Sequence, residues 1–195
     1  MHYHPSGKPE RDQSSIGLYF TDQPPRTAFT GVQLPPAFGA LSGVDIPAGN
    51  KAYKVTDSFT LPIDVEAFAI SAPAHYLGKH LQMTATLPTG KQLDLLDIPD
   101  WDFSWQEQYQ FKDFIKLPKG TQLDSMVVWD NSAANPNNPT VPPVRVRWGV
   151  ESEDEMGSLT LLCRPGPGER YATLTTAYAR HLAEVRTRTT RKMAT

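Results

Sequence analysis

Three tetrapeptides of one form divide this chain: Ile46-Pro47-Ala48-Gly49, Leu87-Pro88-Thr89-Gly90 and Leu117-Pro118-Lys119-Gly120. In each, proline fixes φ and glycine two residues later supplies the positive φ that closes a tight turn. Apolar residues alternate between these turns. Met83, Ala85 and Leu87 precede the second turn, Leu93 and Leu95 follow it, and Leu123, Val127 and Trp129 follow the third. Alternation with period two is the signature of a half-buried strand. The 195 residues include 18 prolines and 13 glycines, many for a helical protein, so the chain to about residue 165 reads as short antiparallel strands of a β-sandwich.

The longest alternation is Trp101, Phe103, Trp105, Glu107, Tyr109 and Phe111, with polar residues between. It predicts one half-buried strand, bent or bulged, with its rings on one face. Such rings can also form a stacking surface for carbohydrate, although rings alternating on one strand face are ordinarily core. Residues 131–143 hold four prolines and four asparagines, which predicts a long surface loop. After Pro165-Gly166-Pro167-Gly168 the period changes. Tyr171, Leu174, Tyr178, Leu182 and Val185 recur at spacings of three and four, the pattern of an amphipathic helix. Its basic end (Arg180, Arg186, Arg188, Arg191, Lys192) matches the negative pole of the helix dipole better than it matches nucleic acid. His181, beside Arg180, is expected in solvent.

The formal net charge of −2 gives no electrostatic footprint for nucleic acid or an anionic membrane. No apolar run approaches the roughly 20 residues needed to span a bilayer, and no secretion signal is visible at Met1–Gly7. Cys163 is the only cysteine, which excludes an intrachain disulfide and a thiolate metal cluster. A metal site would draw on His, Met, carboxylate or backbone groups. No Gly-x-Gly-x-x-Gly follows a strand, so a nicotinamide or flavin enzyme is not indicated. His2 and His4 flank Tyr3 and would face the same way on a strand. His75 and Met156 together offer imidazole and thioether, a pair suited to copper because soft sulfur favours Cu(I) and imidazole serves both oxidation states. Each also has a plain structural reading, as a hydrogen-bonded strand residue and as a core side chain.

Several segments in order resemble one family. They are His2-Tyr3 with Ile16-Gly17-Leu18-Tyr19-Phe20, then Ile46-Pro47-Ala48-Gly49, then His75-Tyr76-Leu77-Gly78-Lys79, and finally Asp154-Glu155-Met156. The family is that of the copper type II, ascorbate-dependent monooxygenases, exemplified by peptidylglycine α-hydroxylating monooxygenase and dopamine β-hydroxylase. The resemblance runs over roughly residues 1–163, and Trp101-Asp102-Phe103 and Trp105–Tyr109 have the flavour of bacterial members. It implies an all-β, antiparallel jelly-roll β-sandwich, to which the periodicity adds a short C-terminal helix. Residues 1–23 would be the remnant of a preceding copper-binding jelly roll, 24–165 the C-terminal copper domain, and 166–195 a linker and helix.

The activity implied is hydroxylation of a C–H bond with O2 and ascorbate or a similar reductant. One copper activates oxygen and the other relays an electron. His2 corresponds to the last histidine of the first copper site, whose other two would lie upstream of residue 1. His75 and Met156 correspond to ligands of the second copper, while the remaining histidine of that site corresponds to Pro73. Proline has no lone-pair nitrogen to give. By strand parity His80 points away from His75 unless Gly78 opens a bulge. The chain taken alone is therefore expected to bind copper weakly and not to turn over. The competing expectation is a non-catalytic scaffold or interaction module. Expected partners are a peptide or small-molecule substrate and a missing N-terminal copper domain or a neighbouring chain, with Thr160 and Ser71 where substrate contacts would fall. The family is usually exported.

Overall fold

The computed structural model describes residues 6–24 and 27–193. Ten strands and one long helix follow the leading segment: β1 (Thr30–Leu34), β2 (Asp45–Ile46), β3 (Tyr53–Thr60), β4 (Val65–Ser71), β5 (Gly78–Thr86), β6 (Gln92–Ile98), β7 (Gln108–Leu117), β8 (Gln122–Trp129), β9 (Val146–Arg147), β10 (Leu159–Pro165) and α1 (Tyr171–Met193). One sheet has the order β1-β10-β4-β7 and the other β3-β8-β5-β6, while β2 and β9 form a separate pair. All of these pairings are antiparallel. Setting the small pair aside, the chain changes sheet after every strand except β5, which turns back into β6. That alternation, with this strand order in two four-stranded sheets, is the jelly roll.

The turn tetrapeptides divide between two jobs. Leu87–Gly90 closes the β5–β6 hairpin, with Leu87 N–H on the Lys91 carbonyl and Gly90 N–H on that of Leu87, both at 2.8 Å. Leu117–Gly120 instead carries the chain across the sandwich. It is pinned there by Gly120 N–H on the Leu61 carbonyl (2.8 Å) and Leu61 N–H on that of Thr121 (2.9 Å). Between the sheets the strands contribute alternate residues. Leu123, Val127 and Trp129 from β8 face Leu159, Leu161 and Cys163 from β10, all fully buried. Burial lifts the Cys163 thiol to about 12, so it packs as a small apolar group.

Two sequence expectations are corrected. The aromatic alternation is not one strand. β7 starts only at Gln108, and Asp102–Trp105 forms a turn, with Trp105 N–H on the Asp102 carbonyl (3.0 Å) and Ser104 N–H on the Asp102 carboxyl (2.8 Å). The short acidic side chain captures the backbone donor that a strand would give to its neighbour. Trp101 is consequently buried while Trp105 is 64% exposed, and the rings make no common stacking row. The loop 131–143 is not merely a surface connection either. Asn131 is fully buried and its amide donates to the carbonyls of Ile46, Pro47 and Val144, while the Asn138 amide donates to the Asn131 side-chain oxygen at 3.0 Å. Its asparagines replace the sheet hydrogen bonds that its prolines cannot make.

The helix, 23 residues long, lies across the gap between edge strands β1 and β3. Tyr178 Oη donates to the Gln33 carbonyl (2.8 Å) and accepts from Gln33 N–H (3.1 Å). Leu174 and Val185 are buried, and Phe59 of β3 meets Tyr178 edge-on. His181 lies on this same stripe, three residues after Tyr178 and four before Val185. It is 9% exposed and not in solvent. Its Nε2 lies 2.8 Å from Oδ2 of Asp57, whose other oxygen receives Arg188 at 3.2 Å. Residues 6–24 contain neither strand nor helix, and Ile16, Leu18, Tyr19 and Phe20 are each at least 70% exposed. Among the described residues no helix is long and apolar enough to cross a membrane.

Removing the Asp57 carboxyl leaves a buried imidazole nitrogen and a guanidinium without their shared acceptor. Asp57→Ala is therefore expected to lower stability by about 2–4 kcal/mol, read as the midpoint of urea unfolding. Lys8→Ala, which removes an exposed ion pair with Glu10, should cost less than about 1 kcal/mol.

Candidate metal centre

The site stands where the chain leaves β4 and where it enters β10. Beyond the end of β4, Ala74 bridges Gly157 in antiparallel fashion and Ser158 N–H reaches the Pro73 carbonyl at 3.3 Å. His75 follows Ala74 and Met156 precedes Gly157, so the two residues flank this isolated bridge. Position 157 is glycine because Trp129 packs directly on its backbone: a Cβ there would lie 2.5 Å from the ring. Gly78 has the same role beneath Trp101, where a Cβ would also meet ring carbon at 2.5 Å.

His75 is 1% exposed. Its Nδ1 is 3.0 Å from the Asp154 carbonyl oxygen, and a carbonyl only accepts, so Nδ1 carries the proton. In the neutral ring the lone pair then resides on Nε2. A hydrogen bond of this kind, from the nitrogen not facing the metal to a backbone carbonyl, is the usual way a ligating imidazole is oriented. Phe103 packs edge-on against the ring at 6.0 Å, and the His75 carbonyl accepts from Trp101 Nε1 (3.1 Å) and Gly78 N–H (3.2 Å).

The residue that builds this corner is one that sequence reasoning missed as an actor. Glu155 is fully buried. Its Oε2 accepts from His75 N–H (3.1 Å), Trp129 Nε1 (2.8 Å) and its neighbour Met156 N–H (3.2 Å). Its Oε1 accepts from Leu77 N–H at 2.6 Å. One carboxyl thus fixes the backbone on both sides of His75 and the backbone entering Met156. Its place inside Asp154-Glu155-Met156 was visible in the sequence. Nothing in the spacing told that its carboxyl would turn inward while Met156, half-buried, sits next along. Burial pushes this carboxyl up to about 8, against the pull of its four N–H donors.

The other expected ligands lie elsewhere. Pro73 occupies the position two residues before His75 and lines a shallow groove with Ser71, Gln106 and Gln108. It brings no side-chain donor, and its carbonyl is engaged by Ser158. The β5–β8 pairing does shift register between Gly78 and His80, the bulge that could have redirected His80. Even so, His80 turns to the edge strand, with Nε2 2.6 Å from Asp97 Oδ1. His2 and His4 fall outside the described residues. Thr160 and Ser71 are register partners across β10 and β4, and Thr160 Oγ1 accepts from Gln33. Among the described residues no group of three or more His, Cys, Asp or Glu is placed to hold a metal ion. His75 and Met156 therefore fit copper in donor type, nitrogen plus sulfur, and fall short in number.

No family model matches the chain, and no curated protein matches it. Among solved structures it is similar to one described as the structure of infectious bursal disease virus Gx strain. The identity is 9% and the TM-score 0.37, over 83% of this chain and 39% of that one. A likeness of that size has no bearing on function.

Two outcomes follow from the buried carboxyl. With a folded value near 8 against 4.5 unfolded, the native state holds a proton between those pH values that the unfolded state releases. Stability is therefore greatest below the lower value and declines as pH rises to the upper one. Urea midpoints measured from about pH 5 to pH 8 should fall for the wild type more steeply than for Glu155→Gln, which cannot titrate. Glu155→Ala should lose about 3–5 kcal/mol near pH 5, because buried N–H groups are left without an acceptor, and less toward pH 8, where the wild type has itself lost stability.

Proposed function

We propose that this chain is a copper domain of the type II monooxygenase kind that retains two of the three ligands of its copper site, His75 and Met156, and by itself holds copper weakly and does not hydroxylate. The observation that carries this reading is the pairing of Ala74 with Gly157, joined to the hydrogen bond from His75 Nδ1 to the Asp154 carbonyl. They support the reading because His75 and Met156 flank the Ala74–Gly157 bridge on its two segments and the His75 ring is held by Asp154. Copper, when bound, would supply the one-electron chemistry with O2. The protein's part is to hold His75 in one tautomer through Asp154, to keep its backbone fixed through Glu155 and Trp101, and to shield the ring from water behind Phe103.

A second reading has its own observations. Pro73 removes a ligand position, and His75 at 1% exposure is nearly closed to an incoming ion. On that reading the imidazole and Glu155 are parts of a structural corner, and the sandwich is a scaffold that has lost copper chemistry.

Copper titration of the wild type and of Pro73→His separates the two. For the copper domain, paramagnetic resonance of the Cu(II) form should show weak nitrogen ligation in the wild type. Pro73→His should raise affinity at least about tenfold, the scale on which single groups tune metal sites. Ascorbate-dependent oxygen uptake by the wild type should stay at background. Unchanged affinity in Pro73→His would favour the scaffold, and vigorous oxygen uptake by the wild type would overturn the claim that the ligand set is incomplete.

A further inference from the structure

Away from that corner, basic residues from separate parts of the chain meet at one groove. It measures about 450 Å3 and runs between the last turns of α1 and strand β3. Arg188, Thr189 and Lys192 line it from the helix, Lys54 and Thr56 from β3, and Ser42 from the turn before β2. The helix dipole accounts for cations in the last turn of α1. It gives no reason for Lys54 to stand opposite them on a strand.

The carboxylate on the wall is already neutralised. Asp45 receives Arg145 through two bonds, at 2.6 and 2.7 Å, with Arg147 at 3.7 Å, and these guanidiniums hold its carboxyl below the ordinary range. Asp57 lies buried behind the groove and is shared by His181 and Arg188. Arg188 spends one nitrogen there and is still 67% exposed, so the remaining N–H donors of its fork face outward. Lys54, Arg145, Arg147 and Arg188 against Asp45 and Asp57 leave a local excess of cations in a chain of net charge −2, interleaved with the hydroxyls of Ser42, Thr56 and Thr189. Cations that desolvate little, together with short hydroxyl donors, are the groups that recognise phosphate and carboxylate oxygens. The volume is that of a small-molecule site.

We propose that this groove binds a small polyanion, a phosphorylated or polycarboxylate metabolite, through Lys54 and Arg188. Binding would tie the end of α1 to β3 and so brace the helix over the open side of the sandwich. This site is independent of copper and of the corner around His75.

The test is calorimetric titration of the full chain with pyrophosphate and with citrate at constant ionic strength. Saturable binding of at least one is expected. Lys54→Glu, a change at an exposed strand position, should weaken it at least about tenfold. Lys116→Glu, an equal change of charge on exposed β7, should leave it unaltered. Tighter binding of pyrophosphate assigns the phosphorylated class and tighter binding of citrate the polycarboxylate. No saturable heat with either anion, or equal weakening by Lys54→Glu and Lys116→Glu, would overturn the site, the latter by reducing it to net charge.

Discussion

The carboxyl of Glu155, set among four N–H donors, joins two stretches of chain that leave and re-enter the same sheet. Without it the turn after β4 and the approach to β10 would each bring unpaired amides into an apolar interior. Below about pH 8 the buried carboxyl is protonated, so its N–H bonds are those of a neutral acceptor and contribute roughly 0.5–1.5 kcal/mol each. Burying the uncharged carboxyl costs about 2–7 kcal/mol of desolvation in return. With opposing effects of similar size, the gain lies less in net stability than in register. Trp129 fixes the depth of the carboxyl, and glycine at 78 and 157 lets two indole rings approach the backbone. The position of His75 is a consequence of that corner.

On β3 a second buried carboxyl does similar work for the helix. Asp57 draws His181 and Arg188 onto β3 while Tyr178 clasps the backbone of β1, so α1 closes the side of the sandwich where both sheets end. The corner before β10 and the seat of the helix are thus each organised by an acidic side chain with several donors. The aliphatic core between them depends on alternation alone.

That difference explains what could be read from sequence. Alternation and the Pro–Gly turns give strands β5, β6 and β8 and the helix, because period and turn chemistry are local properties. The strand drawn through Trp101–Phe111 fails at Asp102, where a side chain outcompetes the ladder. The Asp-x-Ser pattern that makes this turn stands in the sequence. His181 was assigned to solvent from its neighbour Arg180, although its spacing from Tyr178 and Val185 placed it on the apolar stripe. Glu155 and Asp57 were not legible as hubs. Their partners come from residues 75–77 and 129 in one case and from 181 and 188 in the other, and no local pattern encodes such contacts. The asparagine network of the 131–143 loop is of the same kind, since it depends on carbonyls of residues 46 and 47.

The central proposal is that imidazole and thioether at positions 75 and 156 grip one ion. The resemblance to copper monooxygenases and the bridge at Ala74 and Gly157 support it from different directions, one from motif and one from backbone geometry. X-ray absorption of the Cu(I)-loaded chain tests it most directly. The account predicts a sulfur scatterer in the copper shell of the wild type that disappears in Met156→Leu while nitrogen scattering from His75 persists. A copper shell without sulfur, or one that Met156→Leu leaves unchanged, would contradict it.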